Sequence, residues 1–176
     1  MPVHADLTTF SPKITSASQF PTIVIGYTID EKKTSFTLTA ALKKECETYF
    51  AINLKDELSF FSPTGKPGEI SEIPVSAKGS RCDRIIFISL GDGTPQSART
   101  AGAALGRRFR GKGEKVALFI DNKNIEALAI SSSLATYLWN LKTTPKPLQP
   151  TFSFASEKKL DRASIIASAV CGARDL

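Results

Sequence analysis

The run from residue 84 to residue 120 constrains this chain most. It opens with Arg84-Ile-Ile-Phe-Ile-Ser-Leu-Gly91, apolar almost throughout and β-branched, which suits a strand covered on both faces, as in a parallel sheet flanked by helices. Gly91, Asp92, Gly93 and Pro95 then punctuate a loop. Beyond it Ala98, Ala101, Ala104, Leu105 and Phe109 recur at helical spacing and place an apolar stripe on one side of a helix over residues 96–111. Gly111 and Gly113 end that helix, and residues 116–120, Val-Ala-Leu-Phe-Ile, resume a buried strand. Two buried strands joined through a helix make a βαβ crossover, so the fold class is α/β.

The flanking segments supply further elements. Residues 1–19, rich in Ser, Thr and Pro, predict a loose arm or an early edge strand. Residues 20–29 centre on Ile23, Val24 and Ile25 and read as a buried strand ending at the polar 30–33 turn. Phe36, Leu38, Ala41, Leu42, Cys46, Tyr49 and Phe50 recur at three and four spacing and predict at least one amphipathic helix within residues 34–58, ending before Asn53. A loop over 60–68 leads into a short strand at 70–75 with a proline at its edge, and 77–81 is a second turn.

Past the central unit, residues 121–124 cap a helix beginning near Ile125, with Leu128, Ile130, Leu134, Leu138 and Leu141 along it. Its middle is small: Ala127, Ala129, Ser131, Ser132, Ser133 and Ala135 permit close approach to a sheet or a second helix, and Tyr137 and Trp139 mark its far end. The Pro-rich residues 142–150 cannot continue it. Residues 151–155 alternate like a strand, and 161–176 predict a last helix with Ile165, Ile166, Ala169, Val170 and Ala173 on one face. Arg174-Asp175-Leu176 keeps helical character with no capping Gly or Pro, so the expectation is a sequence cut inside a longer polypeptide.

Composition narrows the class. With 176 residues, 41% hydrophobic and 23% charged, the chain has the length and balance of one globular domain and not of a disordered one. The net charge of +6 permits nucleic acid or an anionic surface as a partner, but equally describes an ordinary soluble surface. Cys46, Cys82 and Cys171 lie far apart without metal-ligand spacing, which fits a reducing compartment. The start shows no charged region followed by an apolar run, and the apolar run at 163–173 is too short to span a bilayer. The expected location is cytoplasmic, with no membrane partner.

Few residues point to chemistry. Gly91, Asp92, Gly93 and Thr94 stand where a phosphate loop stands, between a strand and a helix N-terminus. The dinucleotide fingerprint needs a third glycine where Gln96 falls, and no Walker lysine follows, although Asp121 lies near the position of the expected acid. A structural turn is the better reading. His4, the only histidine, lies in the arm and is read as solvated, so no Ser/His or Cys/His couple is expected on a firm scaffold. Asp83, Asp92, Glu114, Asp121 and Glu126 are scattered at element ends, where carboxylates serve turns and helix dipoles. No catalytic, cofactor-binding or metal site is assigned. Arg99, Arg107, Arg108, Arg110, Lys112 and Lys115 form the most basic patch. Residues 107, 108 and 110 do not make one row, and cations at a helix C-terminus need no ligand. Nucleic acid remains a possible partner without interleaved aromatics to support it.

The order of elements, the strand-Leu-Gly turn, the Ala/Gly helix, the small-residue helix ending in Tyr-Leu-Trp and the closing Ala-Ser-Ala-Val-Cys-Gly-Ala-Arg-Asp-Leu together resemble the N-terminal domain of the leucyl (cytosol) aminopeptidase family. The resemblance runs from about Phe20 onward and is closest at residues 165–176. One departure is Ser89-Leu90-Gly91, where the family has Gly-Leu-Gly; another is Trp139-Asn140 at the end of the long helix. The resemblance implies a three-layer, macrodomain-like sandwich with a mixed, mostly parallel sheet. Beyond the arm at 1–19, it implies an N-terminal domain at 20–158 and, at 159–176, the start of a linker helix to an absent catalytic domain. It also implies a parent enzyme that is a hexamer and a dinuclear Zn or Mn exopeptidase, whose metal ligands lie in that other domain. The expected function is therefore noncatalytic, serving assembly and regulation. The alternatives are a stand-alone phosphate or nucleotide-ligand binder using the Gly91 and Thr94 loop, and a basic nucleic-acid accessory domain.

Overall fold

The computed structural model describes residues 4–30, 33–121, 123–138, 148–156 and 160–174. Among these residues seven strands, β1 (Asp6–Phe10), β2 (Thr22–Asp30), β3 (Lys33–Phe36), β4 (Ile70–Pro74), β5 (Arg84–Ser89), β6 (Lys115–Phe119) and β7 (Thr151–Ala155), form one sheet. Its order is β1-β7-β6-β2-β5-β4, with β3 added to β2. β4 and β3 are antiparallel to their neighbours, and the other pairings are parallel. The predicted α/β class and the mixed, mostly parallel sheet are thus observed.

Among the described residues six helices cover the two faces: α1 (Ile14–Ala17), α2 (Ala40–Phe50), α3 (Leu54–Ser59), α4 (Pro95–Phe109), α5 (Ile125–Thr136) and α6 (Asp161–Arg174). Strand side chains alternate between faces. Ile23, Ile25 and Tyr27 of β2, Ile85 and Phe87 of β5, and Ala117 and Phe119 of β6 meet α1, α2 and α3. Val24, Ile86, Ile88, Val116 and Leu118 meet α4, α5 and α6, together with Phe152 and Phe154 of β7. Two cores on one sheet make three layers, and a continuous apolar run at 84–90 is what a strand inside such a sandwich requires.

The crossover from β5 through α4 to β6 passes over β2, which lies between them. It holds α4 close to α5, and the small residues allow it. A methyl group added at Gly102 or Gly106 would overlap the backbone of Leu128 or Ser132. Here the sequence expectation of close approach by the Ala/Ser middle of α5 is met.

Three expectations change, and one pair of alternatives is decided. The helix expected within 34–58 is preceded by β3 and followed by α3. Lys33-Thr-Ser-Phe36 pairs with β2 across a hairpin, Thr39 caps α2 by accepting from Leu42 N, and Asn53 caps α3 by accepting from Lys55 N and Asp56 N. Residues 6–10 take the edge-strand form, paired with β7, and Ala5, Ile14 and Ala17 are buried beside it. α5 ends at Thr136 instead of running to Leu141; its Trp139 end and most of the Pro-rich connector, residues 139–147, lie outside the described residues. On α6 the buried positions are Ala163, Ala167 and Cys171, while Ile165 is 68% exposed and Val170 36% exposed. Small side chains let α6 pack against α5, and the larger apolar residues point away. The boundary at 158/159, and the last two residues of Arg174-Asp-Leu, also fall outside the described residues. Among the described residues no helix is long and apolar enough to cross a membrane.

Candidate functional site

Open α/β sheets bind ligands outside the carboxyl ends of their strands, where the chain leaves in opposite directions. In this sheet that place is the end of β2, between β5 and β6. The chain fills it with its own residues. Thr37, just after β3, receives its position from Thr37 N donating to Gly26 O at 2.9 Å. Its hydroxyl lies against the carbonyls of Gly26 and Phe119, closing the β2/β6 side. A Cβ at Gly26 would meet the Thr37 methyl at 2.8 Å, so the glycine is what admits Thr37.

On the β2/β5 side the 64–69 loop folds over the strand end. Ser89 N donates to Glu69 O and Gly68 N to Ser89 O, both at 2.9 Å. The Glu69 carboxylate accepts from Thr64 N, Thr64 Oγ1, Gly65 N and the Tyr27 hydroxyl. Burial alone would raise the Glu69 pKa, but these bonds hold it below its ordinary value. Burial first, and the Glu69 charge second, push the Tyr27 phenol well above its own. Ser89 is fully buried and accepts from Gly91 N at 3.2 Å.

The loop of Gly91, Asp92, Gly93 and Thr94 is occupied in the same sense. Gly91 and Gly93 take φ of 62° and 71°, the left-handed region that a tight turn demands. Thr94 caps α4 by accepting from Ser97 N at 3.3 Å. Asp92 Oδ1 accepts from Thr94 N, Thr94 Oγ1 and Ser97 Oγ at 3.1, 2.8 and 2.6 Å. The Ser97 hydroxyl, then Thr94, hold the Asp92 carboxyl below its usual range. An anion thus already sits at the helix N-terminus, and it belongs to the chain. This supports the structural-turn reading over a phosphate loop.

Asp121, Glu126, Asp83, Glu114 and Glu72 are spent locally. Asp121 accepts from Lys123 N and Asn124 N at 3.0 and 3.1 Å and makes the turn into α5. Glu126 pairs with Arg162 at 3.2 Å, and Asp83 lies 3.9 Å from Arg84. Glu114 pairs with Arg84, which also donates to Thr22 Oγ1 at 2.7 Å and to Glu72 at 3.5 Å. Glu72, in turn, accepts from Arg108 at 2.8 Å. Burial works against the charged form of Glu72, but the Arg108 hydrogen bond and the two guanidinium charges hold its pKa low. Among the described residues no three His, Cys, Asp or Glu side chains are grouped to hold a metal ion. The described residues therefore do not fit a dinuclear centre.

His4 is placed differently from the solvated position expected. Pairing of β1 with β7 brings it, half-buried, beside α5 and α6. Nδ1 lies 3.0 Å from Ala5 O and 3.2 Å from Ser133 Oγ, and Nε2 lies 3.4 Å from Ser168 Oγ. A Ser/His couple does form, against expectation. Ser168 sits inside α6, where backbone N–H groups are committed to the helix and cannot serve as oxyanion donors, so the couple fixes β1 rather than supplying a nucleophile. Burial also makes the thiols poor nucleophiles: the pKa of Cys46 is pushed up to about 12 and that of Cys82 to about 11.

The basic patch divides. Arg108 turns to Glu72 across the sheet edge, whereas Arg110 donates Nε and Nη2 to Ala135 O at 3.0 and 2.7 Å. Arg107 and Arg110 share with Arg99 a groove of about 470 Å³ between α4 and α5. Considering 107, 108 and 110 alone hides this row, because its third member stands two turns earlier.

No family model matches the chain, and no curated protein does. Solved structures do. The chain is similar to a tomato leucine aminopeptidase variant, at 16% identity and a TM-score of 0.63, covering 96% of this chain and 36% of that one. It is also similar to the bottromycin maturation enzyme BotP in complex with Mn, at 19% identity and a TM-score of 0.55 over 89% of this chain and 31% of that one. A second BotP structure gives 18% and 0.56 over 89% and 32%. This chain spans about a third of the length of these neighbours. At such identities the likeness shows a shared fold.

Proposed function

We propose that this chain is the noncatalytic N-terminal domain of a leucyl aminopeptidase-type enzyme, a metal-dependent exopeptidase that releases N-terminal amino acids from peptides. The observation that carries the reading is a fold likeness extending over 96% of this chain but only 36% of a leucine aminopeptidase, which leaves the larger part of such an enzyme to a separate peptidase portion. The filled strand ends support it, since Thr37, Glu69 and Asp92 occupy the places from which an α/β sheet would act on a ligand. In this reading the domain contributes to assembly, into a hexamer in the parent, and to access around the peptidase site. The pair of Zn or Mn ions belongs to the peptidase portion, where it would polarise a peptide carbonyl and activate water. The parent works in the cytoplasm.

The test is to express the complete reading frame that contains these residues, with and without residues 1–158. Light scattering gives its oligomeric state, and leucyl p-nitroanilide with Mn or Zn gives its activity. The complete product is expected to release p-nitroaniline and the truncated one to lose the native assembly. A complete product without metal-dependent release overturns the proposal.

A further inference from the structure

The geometry points to an anion site in the groove between α4 and α5, built by Arg99, Arg107 and Arg110 and suited to a small ligand carrying several linked phosphate groups. This site is separate from the Gly91 and Thr94 loop and does not depend on the function proposed above.

Charge balance is the first argument. Between Asp92 and Glu114 the chain contains five cations and no acid. Arg84 is compensated by Glu114 and Glu72, Arg108 by Glu72, and Arg162 by Glu126. Among the described residues none of the three groove arginines has a carboxylate within ion-pair distance. The opposite wall, α5, carries only Glu126, which turns to Arg162. Helix dipole explains a cation at 107 or 110, near the C-terminal end of α4. It does not explain Arg99, which stands in the second turn of the helix, towards its positive end.

Geometry is the second. Positions 99, 103, 107 and 110 follow the i+4, i+4, i+3 row of a helix, with Ala103 leaving the floor open between the guanidiniums. At a rise of about 1.5 Å per residue, the α-carbons of Arg99 and Arg110 are about 16 Å apart along the axis. Two of the forks are already oriented by neutral partners. Gln96 Oε1 accepts from Arg99 Nε and Nη2 at 3.2 and 3.0 Å, and Ala135 O accepts from the same two nitrogens of Arg110, so each keeps Nη1 free of them. Such orientation lowers the entropic cost of binding.

Size and lining choose the ligand. A groove of about 470 Å³ has the volume of a small-molecule site. One carboxylate could not reach three guanidiniums so distributed, whereas linked phosphates concentrate charge and offer each fork a pair of oxygens. A nucleic acid strand is disfavoured, because the lining contains no aromatic platform for bases.

The test is calorimetric titration of the 176-residue chain with inorganic tripolyphosphate, inorganic phosphate, an oligodeoxythymidylate and a glutamate-rich peptide. Saturable binding of one tripolyphosphate per chain is expected, weakening as salt rises, with phosphate alone weaker. Arg99→Gln with Arg107→Gln is expected to weaken it roughly tenfold or more, while Arg81→Gln, an exposed arginine outside the groove, leaves it unchanged. Arg107→Gln alone, at an exposed position, serves if the double variant loses its circular dichroism. Absence of tripolyphosphate binding, binding indifferent to these groove substitutions, or tighter binding of the oligonucleotide or the peptide overturns the assignment.

Discussion

Adding a single methyl group at Gly106 is expected to destabilise this domain, although alanine is the better helix former. In an open helix Gly→Ala gains about 1 kcal/mol. At Gly106 the new Cβ would lie 2.7 Å from Ala135 Cβ, and closer still to the Ser132 carbonyl oxygen. Carbon atoms in contact prefer about 3.5–4.0 Å, so α4 and α5 must part by about 1 Å. One of the two obstacles is backbone, which cannot rotate away. Overpacking of this kind costs about 1–3 kcal/mol, and a backbone obstacle belongs at the upper end. Subtracting the helix gain leaves a net loss of about 2 kcal/mol, or about 4–8 °C in Tm for a chain of this size. Gly172→Ala is the matched control, since nothing lies within 4 Å of a Cβ there in α6. It is expected to gain up to about 1 kcal/mol and about 2–4 °C. Urea unfolding followed by circular dichroism reads both. A Gly106→Ala protein as stable as the parent would refute the close helix contact on which the α4 face is built.

Three further outcomes follow from the same structure. Glu72 and Glu69 have folded pKa values below the ordinary 4.5, so their stabilisation is full above that pH and is lost as pH falls through the folded values. Acid unfolding of Glu72→Gln should therefore show a shallower dependence below pH 4.5 than the parent, and an unchanged slope contradicts the pairing with Arg108 and Arg84. Asp92→Ala should lower Tm by removing the acceptor shared by Thr94 and Ser97; a gain in phosphate binding by that variant would show that the carboxylate had been excluding an anion. Cys46, Cys82 and Cys171 are all buried, so an aromatic disulfide reagent at pH 8 should find no fast thiol in the native chain and three in urea.

Much of the sandwich can be read from side-chain pattern, and the failures have physical causes. β2, β5 and β6 announce themselves because strands buried on both faces must be apolar at consecutive positions. β3 does not, because Lys33-Thr-Ser-Phe36 is short and half polar, and only pairing with β2 makes it a strand. The same blindness to partners displaced the helix start: Phe36 and Leu38 fit helical spacing, yet Thr39 begins the helix. On α6 hydrophobicity pointed to Ile165 and Val170, whereas closeness to α5 selected Ala163, Ala167 and Cys171. The arginine groove escaped because it is made by two helices, and only α4 carries its charge. Thr37 and Glu69 escaped for a related reason, since a residue that fills a cleft has no motif of its own.

The most direct test is a leucine-release assay on the purified 176-residue chain at high concentration, with Mn or Zn supplied and leucyl p-nitroanilide as substrate. No p-nitroaniline above the buffer rate is expected, because among the described residues no three potential metal ligands are grouped. Release that grows with chain concentration and stops on adding a chelator would contradict that account.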